Sequence, residues 1–209
     1  MDSPLSTWTP ASPALRAVPF LTQVNLRSST PAAFEPVLGV PPPTTPNTVA
    51  VSGDLAVLWL GPDEWLVIAP PLGAAGSASG VVGSVSPVGL PVSGVVGSML
   101  PEVGPRSAVV GPRSAPLAEA LAEAVKGEFA SVVDVSAHRT AIDVSGPHAW
   151  DLLAHGCALD GVAPGHCAQT MLARAGVILW RLDDGYRVLV RSSFARYVAA
   201  WLDDASVEH

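Results

Sequence analysis

The chain has 209 residues, 49% of them hydrophobic, enough for one large domain or two small ones with a substantial core. Eleven basic against eighteen acidic residues leave a net charge of −7, which excludes the basic footprint that nucleic acid or an anionic membrane surface selects. Lys126, the single lysine, is followed by Gly127 and Glu128, so no phosphate-binding Gly-Lys-Ser/Thr loop occurs, and two cysteines are too few for a disulfide scaffold.

Residues 1–48 read as an extended arm. Pro10, Pro13, Pro19, Pro31, Pro36, the run Pro41-Pro42-Pro43 and Pro46 favour polyproline or extended backbone and erase helix periodicity. Trp8, Phe20, Leu26 and Phe34 are wasted in solvent there, so the arm is expected to lie on a partner. Apolar runs over 55–60 and 65–69 flank Gly61-Pro62-Asp63-Glu64 and predict a hairpin.

Residues 71–115 read as a flexible insertion rich in Gly, Ser, Val and Pro. Gly80-Val-Val-Gly-Ser, Gly94-Val-Val-Gly-Ser and Ala108-Val-Val-Gly-Pro recur every 14 residues, too short and too Gly/Pro-rich for the core of a solenoid. The uncharged stretch from Leu66 to Pro101 is long enough to span a bilayer. Pro70, Pro71, Pro87, Pro91 and Pro101 would break such a helix and leave backbone groups unpaired in lipid, so it is not read as a span. With no basic-then-apolar leader, a reducing cytoplasmic setting is expected.

From Pro116 a helix carries Leu117, Leu121, Ala124 and Val125 on one stripe and stops at Gly127. Strand-like 131–136 and 139–145 follow, then a helix from Pro147 to Gly156 that turns Leu152 and Leu153 inward. Residues 176–182 and 186–191 flank Asp183-Asp184-Gly185, a hairpin signal. Phe194, Tyr197, Val198, Trp201 and Leu202 define the inner face of a last helix. Strands and helices mixed with hairpins mean α+β. The expected unit is one domain over 49–70 and 116–205, an antiparallel or mixed sheet with packed helices.

Chemistry is sparse. No Gly-x-Gly-x-x-Gly, Gly-x-Ser-x-Gly or His-Glu-x-x-His occurs. His155, Cys157, His166 and Cys167 have zinc-type donors, but adjacent ligands seldom chelate one tetrahedral ion, and packed thiols are the simpler reading. The pairs Asp63-Glu64, Asp183-Asp184 and Asp203-Asp204 sit at turns or near a chain end, as solvated residues do. His138 and His148 have no adjacent nucleophile. Arg187 and Arg191 share a strand face with Leu189, and Arg181 joins them from the neighbouring strand. The candidate partner interface is therefore Arg181, Arg187 and Arg191 together with Trp8, Phe20 and Phe34 of the arm. No catalytic, cofactor-binding or metal residue is assigned.

Several stretches carry a resemblance. Leu58-Trp-Leu-Gly-Pro-Asp-Glu-Trp-Leu66, Val133-Asp-Val-Ser136 with Arg139-Thr-Ala141, Ser145-Gly-Pro147, Gly156-Cys-Ala-Leu-Asp160, Gly165-His-Cys-Ala-Gln-Thr170 and Leu179-Trp-Arg181 resemble the gamma subunits of heterotetrameric sarcosine oxidase. The likeness spans about 54–70 and 117–204. That family is in turn similar to the amino-terminal part of the glycine-cleavage T-protein, a folate-dependent aminomethyltransferase, which implies a folate-transferase-like fold. The T-protein has acids before the strand corresponding to 177–182. This chain has Leu172-Ala-Arg-Ala-Gly176 instead.

The resemblance implies a structural subunit without a cofactor of its own, partnered by alpha, beta and delta subunits. Those partners would hold FAD, FMN, NAD and zinc while the complex demethylates sarcosine to glycine, forms hydrogen peroxide and passes one carbon to tetrahydrofolate. The alternatives are a free-standing folate-dependent aminomethyltransferase or a folate-binding iron–sulfur repair protein.

Overall fold

The computed structural model describes residues 3–70 and 114–208. In chain order the strands are β1 (Leu15–Ala17), β2 (Thr22–Ser28), β3 (Val49–Ser52), β4 (Leu55–Gly61), β5 (Glu64–Ala69), β6 (Ala130–Asp134), β7 (Arg139–Ser145), β8 (Cys167–Leu172), β9 (Ala175–Leu182) and β10 (Gly185–Arg191). The helices are α1 (Glu35–Leu38), α2 (Ser114–Ala124), α3 (Ala149–Ala154) and α4 (Ala195–Ala205). Every strand pairing is antiparallel, in two five-stranded sheets ordered β1-β7-β10-β9-β8 and β3-β4-β5-β2-β6.

The sheets pack face to face with helices outside, in four layers. Leu58, Leu60, Leu66 and Ile68 of the second sheet meet Ala141, Ile178 and Leu189 of the first. Beyond the first sheet, Leu152 and Leu153 of α3 and Val198 and Leu202 of α4 cover Ile142, Leu179, Val188 and Val190. Beyond the second, Leu121 and Val125 pack with Phe34 and Leu38 on Val24, Leu26, Trp65 and Val67. Both faces of β4, β5 and β9 are thus buried, which explains their continuous apolar runs where a half-exposed strand would alternate.

The α+β expectation holds, and the predicted helices and hairpins lie within a few residues of their observed bounds. The extended arm does not. β2 sits inside the second sheet between β5 and β6, and β1 pairs with β7. Phe34 closes a 3-10 turn over Pro31–Phe34 and is fully buried, as are Leu26 and Leu38. Each proline falls outside the strands or in the first turn of a helix, where no backbone donor is needed. The prolines punctuate folded elements; they do not extend the chain.

Strands β3 and β8 also complete the sheets. The 71–115 insertion lies outside the described residues, save Ser114 and Ala115, which open α2. Among the described residues no helix is long and apolar enough to cross a membrane.

Candidate functional site

The predicted basic face does not form. Arg187 and Arg191 share the face of Leu189, which packs between the sheets. Arg181 lies with Leu179 and Tyr186 on the opposite, helical face, because the register sets Arg181 against Tyr186 and Arg187 against Trp180. The register aligns Arg16 of β1, Asp143 of β7, Arg187 of β10 and Trp180 of β9 in one row across the first sheet. Asp143 is 8% exposed and accepts from Arg187 Nε at 2.7 Å, from Arg187 Nη2 at 3.0 Å and from Arg16 Nη2 at 2.5 Å. The Arg187 guanidinium lies 5.5 Å from the Trp180 ring centroid, so it is held by charge on one side and an aromatic on the other. A planar fork with both carboxylate oxygens in reach is a strong charge-assisted pair.

Arg181 is also engaged. Its guanidinium lies 4.6 Å from the Tyr186 ring centroid and Nη1 donates to the Gly185 carbonyl at 3.1 Å. Tyr186 meets Trp150 of α3 at 5.4 Å between centroids. These contacts put Arg181 and Arg187 in the packing of the first sheet.

Arg191 differs. It is exposed and pairs in register with Arg139 of β7, two like charges opposite each other. Partial burial, Arg191 and, in opposition, Glu64 together lower the Arg139 pKa from its ordinary value. The neighbouring His138 is lowered too, by desolvation and then by Arg139 and Arg191. Glu64 is occupied by Arg27 Nη2 at 2.6 Å and Asn25 Nδ2 at 2.8 Å.

The aromatic residues of the proposed arm divide three ways. Phe34 is core. Trp8 is half-buried against the first sheet's helical layer and its indole donates to Asp203 Oδ2 of α4 at 2.7 Å, while Ala11 N donates to Oδ1 at 2.8 Å. Phe20 is half-exposed, between β1 and β2.

The four zinc-type residues do not converge. Cys157 joins the helical side of the first sheet, 3.9 Å from Thr170 Oγ1, whereas Cys167 belongs to the layer between the sheets and donates to the Trp59 carbonyl at 3.5 Å. Burial pushes the Cys167 thiol up to about 11, so it is protonated and inert near neutrality. Among the described residues no three His, Cys, Asp or Glu groups could hold an ion. His148 Nδ1 lies 3.1 Å from Asp151 Oδ2, and both are exposed.

One open groove of about 480 Å³ was not anticipated from sequence. Gly156 and Cys157 behind α3, Ala173 and Arg174 in the β8–β9 turn, and Tyr197 and Trp201 of α4 line it. Ala173 and Arg174 have φ of 48° and 66°, left-handed values that ordinarily select Asn or Gly in a two-residue hairpin turn. The turn is held by neighbours: Tyr197 Oη donates to Ala173 O at 2.7 Å, and Ala173 N donates to Gly156 O at 3.0 Å. A Cβ on Gly156 would stand 2.6 Å from Trp201 Cζ2, so glycine lets the indole lie on that backbone. The turn occupies the place where the T-protein resemblance would put acids, and no lining side chain is a carboxylate. The sequence signal for the groove was indirect, a Gly-Cys after a helix and an Arg in a tight turn.

Comparison with known proteins places these features. The family model described as sarcosine oxidase, gamma subunit family matches residues 107–208. The chain is 31% identical over 204 residues to the sarcosine oxidase subunit gamma of Arthrobacter sp, covering 93% of this chain and 80% of that one. It is 32% identical over 207 residues to the subunit gamma of Corynebacterium sp. (strain U-96), covering 93% and 79%.

Among solved structures, a chain of the heterotetrameric sarcosine oxidase from Corynebacterium sp. U-96, in complex with pyrrole 2-carboxylate, superposes with a TM-score of 0.67 at 30% identity, covering 93% of this chain and 83% of that one. The glycine cleavage system aminomethyltransferase T from Bartonella henselae superposes with a TM-score of 0.57 at 12% identity, covering 90% and 44%, a likeness of fold alone.

Proposed function

The chain belongs to the sarcosine oxidase gamma subunit family, and on that premise we propose that it is the gamma subunit of a heterotetrameric sarcosine oxidase. In this reading it is a structural component, partnered by alpha, beta and delta subunits. The partners hold FAD, FMN, NAD and zinc. The complex oxidatively demethylates sarcosine to glycine, with hydrogen peroxide formation and one-carbon transfer to tetrahydrofolate. One observation carries the proposal: the likeness to gamma subunits runs through 93% of this chain, both sheets and both helical layers included.

The residues support a scaffold more than a catalyst. The cysteines face opposite sides of one sheet, and the groove offers an arginine and two aromatics without an acid. A free-standing aminomethyltransferase shares the fold, and the groove's lining gives its chemistry no carboxylate to act as acid or base. The test is co-expression of this chain with the alpha, beta and delta subunits of a heterotetrameric sarcosine oxidase from the same source. Stoichiometric co-purification, with sarcosine-dependent peroxide formation that falls when the chain is omitted, is expected. The isolated chain should give no heat on titration with a reduced folate. Folate binding by the isolated chain, together with failure to co-purify, would overturn the reading in favour of the transferase.

A further inference from the structure

The basic side chains are not evenly compensated. Arg16, Arg27, Lys126 and Arg187 each meet a carboxylate, and Arg181 stacks on Tyr186. Among the described residues Arg139, Arg174, Arg191 and Arg196 make no ion pair.

The topology gathers these four at one end of the first sheet. Arg139 opens β7 opposite Arg191, which closes β10. Since β9 runs antiparallel to β10, its start lies beside the end of β10, and Arg174 stands in the turn that leads into it. α4 leaves the same end of β10 after a short 3-10 turn, with Arg196 in its first turn. Met171, Phe194 and Tyr197, 53%, 45% and 50% exposed, lie at that end too. So does the groove walled by Tyr197 and Trp201, with Arg174 in its lining.

In a protein of net charge −7 this corner carries the opposite sign to the whole and mixes it with exposed apolar surface. Of the four, Arg174 lines the pocket beside Tyr197 and Trp201, while Arg196 in the first turn of α4 and Arg191 at the end of β10 stand exposed at the same end. Arginines set among aromatics are the composition of an interface centre. The left-handed Ala173-Arg174 turn adds to this, because backbone strain persists where surrounding contacts impose it and is concentrated at binding sites. A two-fold dimer through the corner would set the same arginines against each other, which disfavours a second copy as the occupant.

We propose that this end of the first sheet is the docking surface for a partner subunit, and that the occupant is an acidic segment which seats a bulky apolar side chain in the groove between Tyr197 and Trp201. The inference rests on the subunit reading and adds to it the face used and the chemistry of what covers it.

The test uses the co-expressed complex and four forms of the chain: wild type, Arg174→Glu/Arg196→Glu, Ala158→Trp, and Lys126→Glu as a charge-reversal control on the outer layer of the second sheet. Arg174, Arg196 and Ala158 are exposed, and thermal melts of each isolated chain establish that it folds. The double reversal is expected to weaken association roughly tenfold or more and to flatten its dependence on salt. Ala158→Trp, which fills the groove, should weaken it at every salt concentration, and Lys126→Glu should leave it unchanged. If wild type co-purifies and the folded double reversal and Ala158→Trp do so equally well, the surface lies elsewhere and the inference falls while the subunit reading stands. If wild type itself does not co-purify, both fall. If light scattering shows the isolated chain as a dimer that the double reversal dissociates, the occupant is a second copy and the inference is overturned.

Discussion

Arg187 grips Asp143 through both carboxylate oxygens from the adjacent strand, at 2.7 and 3.0 Å, with the arginine side chain 17% and the aspartate 8% exposed. Arg16 approaches the same carboxylate from the opposite strand, so one buried anion ties three strands of the first sheet together. An arginine that sequence alone makes a candidate for docking is therefore an internal tie.

Arg187→Glu should act on folding before it acts on assembly. It places two carboxylates in register at a buried position, and removing one partner of a buried pair costs about 3–5 kcal/mol. Urea denaturation of the isolated chain measures it. A loss below about 1 kcal/mol would mean that Asp143 is solvated and the pair contributes little.

The amino-terminal segment is expected to be indispensable to folding. Deleting residues 1–45 removes β2 from between β5 and β6 and strips Phe34 and Leu38 from the core. The far-ultraviolet circular dichroism of the truncated chain should lack a cooperative melt. A milder variant, Asp203→Ala, removes the acceptor for the Trp8 indole and the Ala11 amide and should cost about 1–3 kcal/mol. Proteolysis near residue 10 should become faster while the rest of the fold stays intact.

His138 should titrate below its ordinary value of 6.5, because desolvation and then the guanidiniums of Arg139 and Arg191 disfavour its charged form. A folded-state pKa depressed below the unfolded one means that the unfolded chain binds more protons between the two. The stabilising contribution is whole above 6.5 and is lost as pH falls from there through the folded value. Nuclear magnetic resonance of the imidazole checks this, and Arg191→Gln should move the midpoint upward. A midpoint at 6.5 in both forms would separate His138 from the arginine pair.

Gly185→Ala should be among the more damaging single-methyl additions. With φ at 134°, an added Cβ would lie 2.0 Å from Val144 O and 2.8 Å from Ser145 Cα. Neither backbone atom can move without opening the β7–β10 ladder, so about 2 kcal/mol or more is expected to be lost. Thermal unfolding reads it directly. Asp184→Ala, one residue earlier in the exposed turn, serves as the control and should change little.

The sequence by itself determined the class of fold and most of its elements between 116 and 209. Leu121 and Val125 on one stripe of α2, and Val198 and Leu202 on one face of α4, are local periodicities that do not depend on what covers them. It also excluded the familiar phosphate and metal motifs, because those demand fixed residues at fixed spacing.

β2 was legible in principle, since Val24 and Leu26 alternate with Gln23, Asn25 and Arg27, but the surrounding prolines hid a strand seven residues long. Only the tertiary structure could decide the roles of the charges. Asp143, Arg187 and Arg16 are far apart in the chain and meet through strand register, as do Trp8 and Asp203 through the packing of α4. Arg191 and Arg187 read identically on one strand face, yet one closes on a buried carboxylate and the other stands exposed opposite Arg139. Periodicity tells which way a side chain points. Which charge it meets there depends on the neighbouring strand, and strand order is set by packing between segments that no local pattern connects.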